Sequence, residues 1–369
     1  MIPVSKPYIL KQDINSVSKV MRAGWITSEG PEIKLFEKKI SNFIKKKYAS
    51  TVSNGTAALE IAVKSLNLNK GDEIIIPNFT IVSNLIAVVK NNLKPVVVDC
   101  DPITWNMNIS QIESAINSKT KAIIATHIYG YPLEIDKIKK MCKKNKIFLI
   151  EDAAEMLGHK YKNEKCGYYG DISIFSFYAN KHVTTGEGGM ILTNSKKLDN
   201  KIKSLRNLCF GKKDRFNHDD IGWNYRLSNL QAAFGLSQFT RINKTLSLKK
   251  KIGKIYFDSL KSNPNIFIQK PKYLNLENVY WVVGILIKKK SITAKSLMNY
   301  LKKKGIQTRP FFFPMKRQNF LKKNNIKIRG IFPVSDHISK YGLYLPSGPN
   351  ISSKDIYKVC KEINKFIKF

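Results

Sequence analysis

Short apolar runs alternate with amphipathic segments over the first two thirds of the chain. Where these runs are continuous they predict buried strands, at 73–77, 95–99, 121–126 and 148–150. Helical periodicity lies between them, at 84–90 and 133–144. Because buried strands that alternate with helices form a parallel sheet covered on both faces, this pattern predicts an α/β domain.

The pattern changes near residue 246. From there it predicts a long helix, a strand and two further helices, at 246–261, 279–287, 293–304 and 353–367. A chain of 369 residues also exceeds the usual size of one domain. We therefore expect a large α/β domain at 1–245, which includes the N-terminal segment, and a smaller α+β domain at 246–369.

The composition adds a strong positive charge. The chain has 64 Lys and Arg against 27 Asp and Glu, a net charge of +37, but only eight of the cations are arginine. Surfaces that bind nucleic acid usually rely on clustered arginine, whose planar guanidinium binds phosphate and guanine through two hydrogen bonds. Lysines spread along the chain favour a solvated surface instead, and no nucleic acid partner is expected. Such a surface still attracts an anionic substrate, for example a nucleoside diphosphate.

The sequence also narrows the cellular setting. No apolar stretch approaches the roughly 18 residues of a membrane span, and the N-terminus lacks the pattern of a signal peptide. The cysteines are scattered and show no metal-ligand spacing; they are Cys100, Cys142, Cys166, Cys209 and Cys360. We expect a cytoplasmic protein with reduced thiols, no membrane association and no metal site.

Lys181 is the strongest candidate for chemistry. It follows the strand-like run 173–177 and precedes a turn rich in Thr and Gly at 184–189. A lysine held near a sheet edge and partly desolvated has a lowered pKa, and its amine then attacks aldehydes to form a Schiff base. A lysine taken at random from this chain is instead a solvated surface charge. Asp152, just after the apolar run 147–150, raises Lys181 above that alternative, because pyridoxal phosphate (PLP) enzymes place there the carboxylate that pairs with the protonated pyridine nitrogen.

A phosphate site is predicted at the start of the helix that follows residue 55. The turn at 53–59 supplies backbone amides, Gly55 and the hydroxyl of Thr56 at a helix N-terminus, where the dipole attracts anions. Ser176, on the strand before Lys181, adds a second hydroxyl. The turn is also an ordinary helix cap, so it indicates PLP only together with Asp152 and Lys181.

Several uncommon motifs then occur in a familiar order. They are Gly24–Thr27, Gly30–Pro31, Asp101–Trp105, Tyr129–Pro132, Gly222–Asn229 and Thr308–Pro314. With these motifs almost the whole chain resembles the DegT/DnrJ/StrS family of sugar-nucleotide aminotransferases. The resemblance implies a fold-type I PLP enzyme, with a mixed, mostly parallel sheet in the large domain and a smaller C-terminal α+β domain.

The resemblance also implies roles for single residues around the cofactor ring. Lys181 is the lysine that binds the aldehyde of PLP, and Asp152 pairs with the pyridine nitrogen. Glu155 matches the polar position beside the ring hydroxyl. A carboxylate that complements the dipole at a helix start is the alternative for Glu155.

Further roles follow for the phosphate and the substrate. Gly55, Thr56 and Ser176 match the phosphate cradle. Asn224 reaches the same phosphate from a second subunit, which implies a homodimer with shared active sites. The resemblance also places Arg226 and Arg309 on the substrate side, without indicating which anion each arginine binds. In isolation, Asn224 and Arg226 would better fit residues that cap and pair at the start of a helix; the matched motif favours the site roles instead.

Two positions depart from the family pattern. Ile81 stands where relatives often have an aromatic ring that stacks on the pyridine face. Phe79 would share a face with Ile81 in an extended chain, so it is a displaced candidate for that ring. Lys316 replaces a residue that is often His, which predicts different contacts to the sugar.

The implied reaction is a transamination. Glutamate donates its amino group, and a 4-keto-6-deoxy sugar linked to a nucleotide receives it. The motifs at 104–107 and 129–132 are most similar to the perosamine-forming branch, whose substrate is GDP-4-keto-6-deoxymannose. Dehydrating members have His in place of the lysine, whereas His182 only follows Lys181. The alternatives are a UDP- or dTDP-linked 4-keto or 3-keto sugar, and a non-catalytic binding or regulatory protein of the same fold.

Overall fold

The computed structural model describes residues 1–211 and 213–368. Within them the helices are α1 (Lys11–Arg22), α2 (Pro31–Ile44), α3 (Gly55–Ser65), α4 (Ser83–Lys90), α5 (Ile109–Ala115), α6 (Ile135–Asn145), α7 (Lys196–Arg206), α8 (Asn229–Phe239), α9 (Ile242–Leu260), α10 (Ala294–Lys303), α11 (Phe320–Lys323), α12 (Pro333–Tyr341) and α13 (Ser353–Phe366). The strands are β1 (Tyr48–Val52), β2 (Glu73–Pro77), β3 (Lys94–Val98), β4 (Thr120–Thr126), β5 (Phe148–Asp152), β6 (Lys160–Tyr161), β7 (Glu164–Lys165), β8 (Ile172–Ser176), β9 (Gly189–Thr193), β10 (Ile266–Ile268), β11 (Lys272–Tyr273), β12 (Leu276–Glu277), β13 (Val283–Ile287), β14 (Arg309–Pro310) and β15 (Gly342–Leu345).

A seven-stranded sheet forms the centre of the larger part, in the order β1-β9-β8-β5-β4-β2-β3. The strands from β8 to β3 are parallel to one another, whereas β9 is antiparallel to both of its neighbours. This mixed, mostly parallel sheet confirms the predicted fold class. In the register of β4, β5 and β8, Thr126 pairs with Asp152 and Asp152 pairs with Ile174, so these strands end at the same edge.

Helices cover both faces of this sheet because neighbouring strand residues point in opposite directions. Ile123 belongs to a core that also contains Phe36 of α2. Ile124, the next residue, belongs to the opposite core with Leu59 of α3. Strands buried on both sides explain why the apolar runs of the sequence are continuous rather than alternating.

The C-terminal part contains a second, antiparallel sheet in the order β10-β13-β15-β14. Its core includes residues of α9, α10 and α13. The N-terminus joins this part, since Ile2 forms a parallel bridge with Ile306 and Ser347 N donates to Val4 O. Helix α9 contributes Leu246 to the large core and Tyr256 to the C-terminal one. The division between residues 245 and 246 stays a prediction.

One predicted strand is wrong at its start. The apolar run 279–287 forms a strand only from Val283. Before it, Tyr280 has a left-handed backbone with φ of 50°, and Asn278 Oδ1 accepts a hydrogen bond from Tyr280 N. Val279 N donates to Gly130 O rather than to a strand partner. The two-residue hairpins β6–β7 and β11–β12 were not predicted either.

The described residues include no helix that is long and apolar enough to cross a lipid bilayer. They also include no group of three or more His, Cys, Asp or Glu arranged to hold a metal ion. The five cysteines are free and buried.

We predict that Gly253→Ala destabilises the protein. Helix propensity alone favours alanine over glycine by about 1 kcal/mol. The added Cβ would lie 2.1 Å from Cδ2 of Tyr280, a buried ring, and overpacking of a core costs about 1–3 kcal/mol. We therefore expect a net loss of about 1 kcal/mol in the free energy of unfolding, measured by urea denaturation. Lys251→Ala, at an exposed position of the same helix, is the control and should change little; a gain in stability for Gly253→Ala would contradict the packing argument.

Candidate active site

One cavity of about 630 Å³ lies at the carboxyl edge of the large sheet. Its lining includes the last residues of three parallel strands, Thr126, Asp152 and Ser176. Helix α3 begins at the same edge. Ligands of open α/β sheets bind outside the carboxyl ends of the strands. The cavity is therefore the candidate active site.

The structure brings six of the predicted site residues together in the lining of this cavity. These residues are Gly55, Thr56, Asp152, Glu155, Ser176 and Lys181. They come from α3, from the loop after β5 and from the end of β8 with the loop that follows it. The parallel register of the strands places them at one edge although the chain separates them by more than a hundred residues.

Lys181 lies largely buried against an aromatic ring and a carboxylate. Its side chain is 12% exposed, and its Nζ lies 3.9 Å from Oε1 of Glu155. The same Nζ lies 3.8 Å from the centre of the Trp281 ring, a cation–π contact. Burial lowers the pKa of Lys181, against the opposing effect of the Glu155 and Asp152 carboxylates. The residue therefore has the environment that makes a lysine amine a nucleophile and a base.

Asp152 is a buried carboxylate with few hydrogen-bond donors. Its Oδ1 accepts from Ala154 N at 3.1 Å, and its Oδ2 accepts from Thr126 Oγ1 at 3.5 Å. Asn84 Nδ2 donates to the same hydroxyl at 2.6 Å and orients it. Burial raises the pKa of Asp152, although the Ala154 amide and Lys181 act in the opposite direction. A donor or a positive charge placed against Asp152 would relieve this penalty.

Glu155 is buried and close to the lysine. Its Oε2 accepts a hydrogen bond from Tyr129 N at 2.7 Å. Burial raises the pKa of Glu155 to about 8, although Lys181 acts to lower it. A carboxyl group whose pKa is raised in this way, beside a lysine with a lowered pKa, is typical of a functional site.

The start of α3 has the features of an anion site. Asn54 caps the helix through a hydrogen bond from Ala57 N to its Oδ1 at 2.8 Å. Thr56 Oγ1 lies 2.7 Å from Ser83 Oγ. A Cβ on Gly55 would lie 3.0 Å from the Cβ of Ser176, so glycine allows the helix start to approach β8 closely. Free amides and hydroxyls thus converge where the helix dipole favours a negative charge.

Three predicted residues lie outside this cavity. Asn224 is exposed, and its Oδ1 accepts a hydrogen bond from Arg226 Nε at 2.9 Å. Arg226 also donates to Asn207 Oδ1 at 2.8 Å and lines a separate surface cavity. Arg309 lines a smaller cavity beside the large one. The role of Asn224 in the site of a second subunit stays a prediction.

The structure shows whether Phe79 can replace the aromatic ring that relatives often have at the position of Ile81. Ile81 lines the cavity and is 46% exposed. Phe79 is fully buried and packs at 5.6–5.8 Å, between ring centres, from Tyr129, Phe311 and Phe312. It is not part of the cavity lining, so Phe79 does not replace the ring that Ile81 lacks. Lys316 is exposed and also lies outside the lining, with its Nζ donating to Gly330 O.

Sequence reasoning missed the aromatic wall of the cavity. Tyr178, Trp281, Phe312 and Tyr344 line it, three of them from the C-terminal part. Trp281 is fixed by a hydrogen bond from its Nε1 to Asn180 O at 3.2 Å. Phe312 lies in the motif at 308–314, but no role is assigned to it; for Trp281 the sequence offers only an aromatic pair before an apolar run, which equally indicates core packing.

A buried network holds the end of β5 beside Asp152. Glu151 accepts hydrogen bonds from Gly167 N at 2.6 Å, Gly170 N at 2.8 Å and His127 Nε2 at 3.1 Å. His127 Nδ1 accepts from Leu133 N, so the ring proton lies on Nε2 and points to Glu151. His127 N donates to Asp152 O at 3.2 Å. This network connects the backbone of Asp152 to a fully satisfied carboxylate.

Comparison with known proteins assigns the family. Residues 7–364 match the DegT/DnrJ/EryC1/StrS aminotransferase family. The chain belongs to this family. The family predicted from the motifs is therefore confirmed, as is the predicted class of enzyme, a PLP-dependent sugar transaminase.

Individual relatives are similar over their full length. GDP-perosamine synthase of Escherichia coli O157:H7 is 37% identical over 366 residues, which cover 99% of this chain and 98% of that protein. GDP-perosamine synthase of Vibrio cholerae is 34% identical over 368 residues, 99% of each chain. Among solved structures, Helicobacter pylori PseC, an aminotransferase involved in the biosynthesis of pseudoaminic acid, has a TM-score of 0.93 and 26% identity; the match covers 100% of this chain and 99% of that one.

We predict that Glu151→Gln destabilises the fold. The amide nitrogen would replace one of the two carboxylate oxygens. It would face either Gly170 N, which donates to Oε2, or Gly167 N and His127 Nε2, which donate to Oε1, so a buried donor would lose its acceptor. A buried donor left without its acceptor costs about 1–3 kcal/mol, and we expect a loss near the upper end of that range in urea denaturation at pH 7. Asp258→Asn is the control; its pair with Lys254 is exposed, and no measurable change is expected.

The same variant should change the acid dependence of stability. Burial raises the pKa of Glu151, but the hydrogen bonds from His127 and the two glycine amides hold it below its ordinary value of 4.5. The unfolded chain therefore binds the proton first, so this contribution is complete above about pH 4.5 and disappears as the pH falls through the lower folded pKa. Unfolding free energies measured from pH 6 to pH 3 should fall more steeply for the wild type than for Glu151→Gln. Parallel curves would contradict the assignment.

Proposed function

We propose that this protein transfers the amino group of glutamate to GDP-4-keto-6-deoxymannose and forms GDP-perosamine. The observation that carries the proposal is the position of Lys181, which is buried in one cavity with Asp152 and Glu155. Similarity over the full length to two GDP-perosamine synthases favours this nucleotide sugar over others.

The cavity suits PLP at each of its polar ends. PLP has a dianionic phosphate, a pyridine N–H and an aldehyde. The Gly55 approach to Ser176 leaves room for an anion at the start of α3, beside the Thr56 hydroxyl. At the other side, the poorly satisfied Asp152 carboxylate suits a positively charged N–H donor. Lys181 supplies the amine.

When bound, PLP supplies an electron sink that weakens a bond at the α-carbon of an amino acid. Lys181 moves a proton at that carbon, because burial leaves its amine more readily unprotonated than that of a surface lysine. Asp152 keeps a proton on the pyridine nitrogen by charge. Glu155 lies 3.9 Å from the lysine, and burial raises the pKa of its carboxyl group, which favours the protonated form. Trp281 covers Lys181 and excludes water from its side chain.

The position of His182 favours transamination over dehydration. Its ring is buried, and the residue is not part of the cavity lining. Lys181 therefore provides the base that faces the cavity. A non-catalytic role is disfavoured by the same observation, because a binding protein has no need to bury an amine beside two carboxylates at a cost in stability.

The proposal includes a homodimer in the cytoplasm that completes each active site with residues of the partner. Asn224 and Arg226 lie outside the cavity of their own chain and pair with each other. Exposed apolar side chains lie in the same region of the sequence and in the segment that contacts α8, including Ile221, Trp25 and Ile26. Such side chains are typical of a surface that another subunit covers.

A panel of substrates tests the proposal. GDP-, UDP- and dTDP-linked 4-keto-6-deoxy sugars, together with a 3-keto analogue, are incubated with glutamate, and the products are identified by mass and NMR. We expect the GDP-linked 4-keto sugar to yield the 4-amino sugar fastest. Faster conversion of a UDP- or dTDP-linked sugar would contradict the proposed substrate and would indicate a family member that acts on that nucleotide sugar.

We predict that Lys181→Ala abolishes transamination. A positioned acid–base group contributes roughly 10²–10⁴-fold to rate, and this lysine also binds the cofactor aldehyde, so we expect a loss of at least 10³-fold. The absorbance band of an imine should be absent from the purified variant, whereas the wild-type band should shift on addition of glutamate. Lys160→Ala, at an exposed position, is the control and should retain both properties. A wild-type band that glutamate leaves unchanged would count against the assignment.

A further inference from the structure

A second, smaller cavity of about 220 Å³ lies beside the active site. It shares four lining residues with the large cavity, Tyr178, Asn180, Trp281 and Tyr344. Trp281, whose ring centre is 3.8 Å from Lys181 Nζ, thus lines both cavities. An occupant of the smaller cavity would therefore contact a residue that itself contacts the reactive lysine.

The lining of this cavity is positively charged. It contains Lys249 and Arg309 and no carboxylate. Lys249 is only 4% exposed, and its Nζ donates to Ser347 O at 2.5 Å. Among the described residues, no carboxylate offsets the effect of burial on the pKa of Lys249. When Lys249 is protonated, two further N–H groups of its ammonium are left for a ligand.

The energetics of Lys249 favour an anionic ligand. A buried ammonium without a counter-charge is costly, and burial alone lowers the pKa of Lys249 to about 7. The charge of Lys249 also lowers the pKa of the buried His182, so this histidine supplies no counter-charge. The Nε2 of His182 is buried and has no hydrogen-bond partner. An anion that enters the cavity would restore the charged lysine and bind Arg309 at the same time.

The size of the cavity limits that anion to a small group. Pockets for drug-sized ligands measure about 300–1,000 Å³, and this cavity is below that range. A carboxylate on a short methylene chain fits the available space. A nucleoside diphosphate is too large to enter as a whole.

We propose that Lys249 and Arg309 bind the side-chain carboxylate of the amino donor, so that the smaller cavity selects glutamate. The inference rests on the proposed function, because it takes Lys181 as the place where the donor reacts. Two methylenes separate the reacting carbon of glutamate from its distal carboxylate, a short spacing that suits two cavities with shared lining residues. In a 4-keto sugar nucleotide the diphosphate is attached at the opposite carbon of the sugar ring, farther from the reacting carbon. This contrast assigns the two cations to the donor.

The donor half-reaction tests the assignment without any sugar. The shift of the cofactor absorbance is measured against the concentration of glutamate or alanine for the wild type, Lys249→Met and Arg309→Gln. Hydrogen bonds to charged groups contribute about 1.5–3 kcal/mol, so the glutamate concentration for half-maximal rate should rise about tenfold or more in each variant. The alanine dependence should not change, because alanine has no distal carboxylate. Lys251→Met, exposed on the same helix, is the matched control.

Direct binding separates the two sources of negative charge. Glutarate, a dicarboxylate without an amine, and GDP are titrated by calorimetry into each variant. We expect weaker glutarate binding with unchanged GDP affinity. A loss of GDP affinity alone would assign the cations to the nucleotide phosphates and overturn the inference. Arg309→Gln, at an exposed position, keeps the test valid should Lys249→Met fold poorly.

The outcomes also distinguish this inference from the proposed function. Should both variants retain wild-type dependence on glutamate and wild-type glutarate binding, the subsite is refuted while transamination stands. Should the wild type not react with glutamate, but bind glutarate through Lys249 and Arg309, the carboxylate subsite stands and glutamate is refuted as the donor.

Discussion

The burial of three charged side chains at one edge of a sheet is the constraint on which this structure depends. Lys181, Asp152 and Glu155 share one cavity, and the ion pair between the first and the last is long, at 3.9 Å. Desolvation is the largest influence on the pKa of each group, and it disfavours the charged form in every case. An arrangement of this kind does not stabilise a fold, so the rest of the molecule must hold it in place.

The surrounding structure provides that support through backbone order rather than ion pairs. The parallel register of β4, β5 and β8 fixes the positions of Asp152 and Ser176. Behind the sheet edge, Glu151 is buried as completely as Asp152 but is fully hydrogen-bonded. The two neighbouring carboxylates therefore have opposite roles: a satisfied one secures the strand, and a poorly satisfied one is available to a ligand.

The sequence predicted the sheet well because its strands are buried on both faces. The strand at 73–77 has the predicted bounds, and the strand predicted at 121–126 begins one residue earlier, at Thr120. Position along the chain also indicated Lys181 and Asp152, since each follows an apolar strand. Trp281 could not be predicted, because its contact with Lys181 joins residues one hundred positions apart and no local pattern encodes it. The strand predicted at 279–287 is wrong at its start for a related reason. The bend at Tyr280 depends on the tertiary contact of Val279 with Gly130.

The walls of the two cavities come from two parts of the chain, which we relate to the proposed chemistry and to the proposed choice of substrate. Residues that face the proposed cofactor come from α3 and from the ends of β5 and β8 with the loops that follow them. By contrast, Trp281, Phe312, Tyr344 and the two cations of the smaller cavity come from α9 and the chain after it. Because α9 packs into both cores, the two sets are held in a fixed relation. Substitutions in the C-terminal walls can therefore alter which donor or sugar is accepted while the register that positions Lys181 and Asp152 is unchanged. Such a division allows one sheet to serve different substrates, because function lies in the site and not in the fold.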